Sequence, residues 1–132
     1  MTGQAQRGDF WKRQTVRRLP PALERRTHIA IAELLRVACR PGWWWSHIPS
    51  GEYRTEATGA LLKRMGLKSG MFDFLFIAPD GEHHWLELKR ANGKISRQQK
   101  DFILMLARHG VKFAIAWSYE DAEKRLKVWG VL

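Results

Sequence analysis

Two acidic residues and one lysine flank a short turn of the sequence in a pattern that could hold a metal ion. Asp73 opens an apolar run, and Glu87 and Lys89 lie in the next run, after a turn at residues 79–81. Two carboxylates that face each other repel unless a cation bridges them, and a hard divalent ion accepts one or two carboxylates together with water and phosphate oxygens. Such an ion activates a bound water, and a lysine beside it can stabilise negative charge on a phosphate. These residue types indicate phosphodiester hydrolysis, provided that the fold brings them together.

The turn between the two runs decides whether these residues meet. Its sequence, Pro-Asp-Gly at residues 79–81, is typical of a type I turn followed by a left-handed glycine, which makes a three-residue hairpin loop with a bulge. That turn places Asp73 level with Glu87, and Lys89, two residues further on, shares the same face. A two-residue turn would place Asp73 opposite Leu88 instead. The grouping of the acids is therefore a prediction that depends on the turn type.

The elements that position these residues follow from hydrophobic periodicity and from Pro and Gly breakers. Helical and strand-like runs alternate in the order α-β-α-β-β-α-β-α, which predicts a single α/β domain with a mixed β-sheet flanked by helices. We expect residues 1–19 to form a flexible basic arm and residues 20–132 to form the domain. The predicted helices cover 20–40, 55–65, 96–109 and 120–127, and the predicted strands cover 43–48, 72–77, 84–90 and 111–117, with a further edge strand over 128–132.

Composition narrows the class of protein. The chain has 132 residues, 45% of them hydrophobic, which is enough for one core, and its single cysteine cannot form an internal disulfide. No apolar run is long enough to span a membrane, and the basic N-terminal stretch lacks the apolar segment of a secretory signal, so we expect a cytoplasmic protein. The 23 Lys and Arg against 13 Asp and Glu give a net charge of +10. That charge favours a polyanionic partner, and a merely solvated basic surface is the alternative.

The residues around the two acids resemble the VRR-NUC domain, a branch of the PD-(D/E)XK nuclease superfamily. The resemblance runs from about Glu24 to Trp129 and rests on LKRMGLKSGMFDFLFIAPDG, WLELKRANGKISRQQKDF and GVKFAIAWSYEDA, while HIPSGEYR is similar to a loop of phage-type members. It implies a restriction-endonuclease-like fold and hydrolysis of DNA with Mg²⁺ or Mn²⁺, without an organic cofactor. Stand-alone bacterial or phage members tend to be homodimers that act on branched DNA such as Holliday junctions, so branched or duplex DNA is the expected partner.

The resemblance also assigns roles to individual residues of this chain. It implies that two acidic side chains, one main-chain carbonyl and a helical acid bind the metal, and that a lysine and a helical glutamine complete the catalytic set. The family usually has proline before the first acid, and this chain has Phe72 there, which affects the local backbone and removes no ligand. The implied metal ligands are Asp73, Glu87, Leu88 through its carbonyl, and Glu24, and the implied catalytic set is Glu24, Asp73, Glu87, Lys89 and Gln99.

Several of these residues also have a purely structural explanation. Glu24 lies in a first helical turn, where the helix dipole favours any carboxylate, and Glu33 in the same helix is a competing candidate. Gln99 follows Ser96 at the spacing of a capping box, so it could cap its helix, serve the site, or do both. His28 is one turn after Glu24 and could line the site, but a surface histidine is the expectation we adopt.

The aromatic and basic residues offer candidate contacts to nucleic acid. In the tryptophan run at residues 43–45 we expect Trp44 to enter the core and the other two to be partly exposed or at an interface, with stacking on bases as the alternative. We expect Cys39 to be a small core residue. The candidate DNA-binding residues are Arg54, Lys63, Arg64, Lys68, Arg90, Lys94, Arg97 and Lys100.

Two other classes of function stay open from the sequence. The charge and aromatic content also fit a nucleic-acid-binding module without catalysis, which would bind in a salt-dependent way and need no metal. An exposed tryptophan run would also fit a subunit that works only with a protein partner. No helix-turn-helix or zinc finger is evident, so we expect recognition of the backbone and shape of DNA over its base sequence.

Overall fold

The computed structural model describes residues 22–49 and 55–132, which form one α/β domain with the predicted element order. The arm predicted at residues 1–19 lies outside the described residues. In the part of the chain that is described, no helix is long and apolar enough to cross a membrane. The helices are α1 (Ala22–Ala38), α2 (Glu56–Arg64), α3 (Arg97–Arg108) and α4 (Tyr119–Trp129), and the strands are β1 (Trp44–His47), β2 (Phe74–Ile77), β3 (His83–Leu88) and β4 (Lys112–Ala116).

The four strands form one mixed sheet in the order β1-β2-β3-β4. The first three strands are antiparallel neighbours, and β4 runs parallel to β3 because α3 carries the chain back between them. Each of the last three helices begins after a hydroxyl side chain that accepts a main-chain N–H of its first turn. These caps are Thr55, Ser96 and Ser118.

The main core lies between one face of the sheet and the helices α1 and α4. Alternate residues of β2, Phe74 and Phe76, are completely buried in one cluster with Ile31 and Leu35 of α1 and Leu126 of α4. Because strand residues alternate between the two faces, the same face of β3 contributes its own alternate residues to this cluster. The core therefore fixes α1 against the central hairpin, where the candidate chemistry lies.

The opposite face of the sheet packs against α3. The ring centroid of Phe102 in α3 lies 5.0 Å from that of Trp85 in β3 and 5.3 Å from that of Phe72. Phe72 is fully buried here, whereas Phe74, two residues later, is buried on the α1 side. The strand alternation is therefore interrupted at Asp73, and β2 begins at Phe74 instead of at residue 72 as the sequence predicted.

The prediction that Trp44 enters the core is wrong. Trp44 is 53% exposed, while Trp43 and Trp45 pack against the main core. The cause is the register between β1 and β2, in which Trp45 lies opposite Phe76 and so points to the same face as that buried ring. A run of three similar residues carries no period of its own, so only the pairing partner decides which of them turns inward.

The edge strand predicted over residues 128–132 is also wrong. The helix α4 continues to Trp129 and ends at Gly130, whose φ of +85° is the left-handed conformation that glycine adopts without strain. The N–H of Val131 then donates to the carbonyl of Leu126, and the Val131 side chain is fully buried. The carbonyl of Val131 accepts the N–H of Arg40, so this apolar tail closes the end of α1.

Candidate active site

The central hairpin brings the two predicted acids together. Phe74 lies opposite Leu86, which is the register of the three-residue loop, and Gly81 takes φ +89° in the bulge as the sequence predicted. One step before this pair, Asp73 and Glu87 lie level, and their carboxyl groups are close enough for Asp73 to help raise the pKa of Glu87. The prediction that a local turn places these carboxylates side by side is confirmed.

Asp73 is held from both neighbouring strands. Its Oδ2 accepts the main-chain N–H of Leu88 at 2.8 Å, and its own carbonyl accepts the N–H of Ile48 at 2.8 Å. A second contact to that carbonyl comes from Nδ1 of His47, at 3.1 Å. Asp73 lies just outside the β2 ladder, so these bonds supply the main-chain pairing that a strand residue would have.

Glu87 is a buried acid whose charge is strongly disfavoured. It is 3% exposed, and burial, together with the negative charge of Asp73, raises the pKa of Glu87 to about 10, although Lys89 opposes the rise. The Nζ of Lys89 lies 3.7 Å from Oε2 of Glu87, with its own side chain only 15% exposed. Without a cation, Glu87 therefore keeps its proton at neutral pH.

Gln99 serves both the helix and the site, through different atoms of one amide. Its Oε1 accepts the N–H of Ser96 at 3.1 Å, which completes the capping box of α3. Its Nε2 donates to Oε2 of Glu87. The capping box expected from the sequence is thus confirmed, and the same side chain ties the start of α3 to Glu87.

The helical acid that reaches this end of the sheet is Glu24. Its Oε1 accepts the N–H of Arg90 at 3.4 Å, directly after the segment that carries Glu87 and Lys89. Glu33, the competing candidate, lies nine positions later in α1 and is exposed. The structure therefore brings Glu24, and not Glu33, to the segment that directly follows Glu87 and Lys89.

His28 is half-buried against other rings, whereas the sequence led us to expect a surface histidine. Its ring stacks on Phe74 with centroids 4.5 Å apart, and it meets the ring of His47 edge-on at 4.4 Å. His47 itself had no role in the sequence interpretation. No local signal could have found it, because its contact with Asp73 spans 26 positions and exists only once β1 pairs with β2.

The residues at this site fit a hard divalent cation. Within residues 22–49 and 55–132, no group of three or more His, Cys, Asp and Glu side chains is arranged to hold a metal. Mg²⁺ is usually bound by only one or two carboxylates, with waters and substrate oxygens completing its shell. The buried pair of Asp73 and Glu87 matches that donor set, and a carboxyl with a pKa of about 10 gains most from a cation that replaces its proton.

The candidate DNA-binding residues form two groups that meet at the start of α3. One group lies at the end of α2 and in the turn after it, and the other runs from the end of β3 into α3. The two groups are neighbours because Gly70, in the turn after α2, packs directly on the main chain of Gln98 in α3. A Cβ placed at Gly70 would lie 2.4 Å from the carbonyl carbon of Gln98. Arg54 lies outside the described residues, and all the others are exposed. The exposed ones are Lys63, Arg64, Lys68, Arg90, Lys94, Arg97 and Lys100.

A mixed sheet flanked by helices, with an acid–acid–lysine cluster at one end of its central hairpin, is the arrangement that the resemblance to PD-(D/E)XK-type nuclease domains implied. The model of the VRR-NUC domain matches residues 6–119, and the chain belongs to this family. Two solved structures share the fold: a VRR_NUC domain protein, 21% identical over 83% of this chain and 88% of its own with a TM-score of 0.66, and a VRR_NUC domain, 19% identical over 81% and 97% with a TM-score of 0.57. No curated protein matches the sequence.

Proposed function

We propose that this chain is a Mg²⁺- or Mn²⁺-dependent endonuclease that hydrolyses phosphodiester bonds in DNA and selects branched over plain duplex DNA. The observation that carries the proposal is the contact between Asp73 and Glu87, with Lys89 beside them. Family membership supports a nuclease in general. The metal, the DNA substrate and the roles of the individual residues are our proposal.

In this proposal the two acids are metal ligands, and neighbouring residues add further ligands or orient the acids by hydrogen bonds. Asp73 and Glu87 supply carboxylate ligands, the carbonyl of Leu88 adds a third, and Glu24 closes the site from α1. Gln99 orients the Glu87 carboxylate through its amide. When bound, the divalent cation supplies positive charge that polarises the phosphate and lowers the pKa of an attacking water.

Lys89 completes the chemistry from the same strand end. Its ammonium group is held near Glu87, and its side chain is mostly withdrawn from solvent, unlike that of a typical surface lysine. From there it orients the attacking water and stabilises the negative charge that develops on the phosphate. Electrostatic stabilisation of this kind is worth most where water is excluded.

The shape of the basic surface supports recognition of the DNA backbone. Exposed Lys and Arg side chains approach the site from α2 and from α3, and phosphate contacts of this type carry no base sequence information. Two basic groups that meet at the start of α3, beside the residue that contacts Glu87, suit a substrate with two duplex arms.

The proposal predicts that Asp73→Asn abolishes cleavage. The assay compares matched duplex, flap, splayed and four-way junction DNAs of one sequence, with Mg²⁺ and with Mn²⁺. Asp80→Asn is the matched control, since Asp80 is exposed at the far end of the same hairpin and an asparagine keeps its turn hydrogen bond. Wild-type rates from Asp73→Asn would refute the site, and selective cutting of one plain duplex sequence would refute the preference for branched DNA.

A homodimer is part of the same proposal, since paired sites would allow paired nicks in a junction. Within the described residues β1 is an edge strand, and Trp44 on it is half exposed. Light scattering on the purified protein measures the mass directly.

Binding of DNA without cleavage under every metal would favour instead the alternative of a binding module or a partner-dependent subunit.

A further inference from the structure

We infer that His47, braced by His28, is a positioning residue for Asp73, and that this pair of rings sets how well the site binds a divalent cation. The inference rests on the proposed function, because it concerns the same metal site. It assigns a role to two histidines that have none in the proposed chemistry and received none from the family resemblance.

The main chain at Asp73 lies beyond the regular strand pairing, so its carbonyl needs hydrogen-bond donors from another element. β2 begins only at Phe74, and the strand alternation is broken at Asp73 itself. The Asp73 carbonyl accepts both the N–H of Ile48 and Nδ1 of His47, at 2.8 and 3.1 Å. With Oδ2 fixed by Leu88 on the other side, His47 supplies a side-chain donor at the point where the regular ladder stops.

His28 fixes the ring that makes this contact. It lies between Phe74, on which it stacks with an interplanar angle of 28°, and His47, which it meets at 90° with centroids 4.4 Å apart. His28 is also one helical turn after Glu24, and residues four apart lie on the same side of a helix. The two rings therefore connect α1, on the side that carries Glu24, to the Asp73 carbonyl through the His28–His47 and His47–Asp73 contacts.

The hydrogen bond, and not only the volume of the ring, is what the inference requires. A donor at Nδ1 selects one imidazole tautomer, and partners of this kind orient metal ligands; their loss commonly lowers metal affinity by about 10-fold or more. His47→Phe keeps an aromatic ring against His28 and removes the donor. His47→Asn removes the ring and keeps an N–H close to the position of Nδ1.

The experiment measures Mn²⁺ binding to DNA-free protein, from the free Mn²⁺ signal in electron paramagnetic resonance. We expect His47→Phe to weaken Mn²⁺ binding by about 10-fold and His47→Asn to recover most of it, with little change in thermal midpoint for either. His83→Phe is the matched control, because His83 is an exposed strand histidine at the far end of the hairpin. Equal Mn²⁺ affinity in His47→Phe and wild type would overturn the inference.

A measurement on the wild-type protein keeps the inference testable if a variant does not fold. Nitrogen-detected NMR of the imidazole rings reports which ring nitrogen carries the proton, and we expect Nδ1–H for His47. A neutral His47 ring protonated at Nε2 would overturn the inference. A wild-type protein that binds no Mn²⁺ would refute the proposed function itself, whereas binding that ignores His47 would refute only the role of His47.

Discussion

At the scale of single residues, the buried Glu87 carries a proton where the proposed function needs a cation. Its pKa is raised to about 10 by burial and by Asp73, so the native protein keeps this proton at pH values where the unfolded chain has lost it. A divalent cation can take the place of the proton and repay the cost of bringing two carboxylates together. The same environment that penalises the charged acid therefore favours metal binding.

This proton predicts how stability depends on pH. The native state binds more protons than the unfolded state between the ordinary glutamate pKa of 4.5 and about 10, so this residue's contribution to the free energy of unfolding falls as pH rises through that window. In thermal melts without metal, from about pH 6 to about pH 9, wild type should lose stability relative to Glu87→Gln. Added Mg²⁺ should stabilise wild type more at the higher pH.

The control for this measurement is Glu120→Gln, at an exposed position in the first turn of α4. It should follow the wild-type pH dependence. Parallel curves for wild type and Glu87→Gln would show that Glu87 is not protonated in the folded state, and would contradict its raised pKa.

The pairing of the two acids could be predicted from the sequence, but the contacts of the two histidines beside them could not. Asp73 and Glu87 are joined by a three-residue loop, and the rule for that loop is local. Gln99 also had a local signal, because its capping-box spacing is visible in the chain. The contacts of His28 and His47 cross between elements far apart in sequence, so no pattern of spacing reveals them.

At the scale of elements, the turn between α2 and β2 is seated directly on the start of α3. Gly70 has φ +85°, and a Cβ there would lie 2.4 Å from the main chain of Gln98, next to the residue that holds Glu87. A side chain at this position requires the turn or α3 to move. The approach of the two elements thus shapes both the basic surface and the acid pair.

Gly70→Ala should therefore lower the free energy of unfolding by more than the strain of an alanine at a positive φ, because the added Cβ also clashes with α3. We expect a clear fall in the thermal midpoint and a loss of DNA cleavage. Gly66→Ala is the matched control, since Gly66 also has a positive φ of +105° but no atom would approach its Cβ within 4 Å, so its cost is about 1 kcal/mol of backbone strain. Equal effects of the two changes on melting and on cleavage would contradict the seating of this turn on α3.

The types and order of the elements could be predicted from hydrophobic periodicity. The predictions that were wrong concern segments whose residues show no periodic pattern. The tryptophan run has no alternation, so the face of Trp44 depended on the β1–β2 register. The apolar residues after position 127 fit a strand and a last helical turn equally well, so their pattern does not choose between the two. Gly130 decides for the helix by ending α4 in a left-handed cap that buries Val131.

At the scale of the whole molecule, the net charge of +10 matters through its distribution. DNA binding should weaken steeply with salt, because each neutralised phosphate releases counterions. Removing one phosphate contact should lower the slope of log affinity against log salt by about one. We expect this for Arg97→Ala and for Lys100→Ala, measured by fluorescence anisotropy on catalytically inactive protein.

Lys124→Ala removes the same charge from α4, which packs on the opposite face of the sheet from α3. It should leave the slope unchanged. A uniform loss from all three variants would mean that total charge, and not the surface beside the site, governs binding.

We propose that the acid pair and its lysine hydrolyse DNA with a divalent cation. The most direct measurement is cleavage of labelled branched DNA by the purified protein in Mg²⁺, in Mn²⁺ and in EDTA, beside Lys89→Ala and the Lys124→Ala control. We predict cutting only with metal, a loss of at least about 100-fold in Lys89→Ala, and wild-type rates in the control. Cutting that persists in EDTA would show that the reaction needs no divalent cation, and wild-type cutting by Lys89→Ala would show that Lys89 is not catalytic.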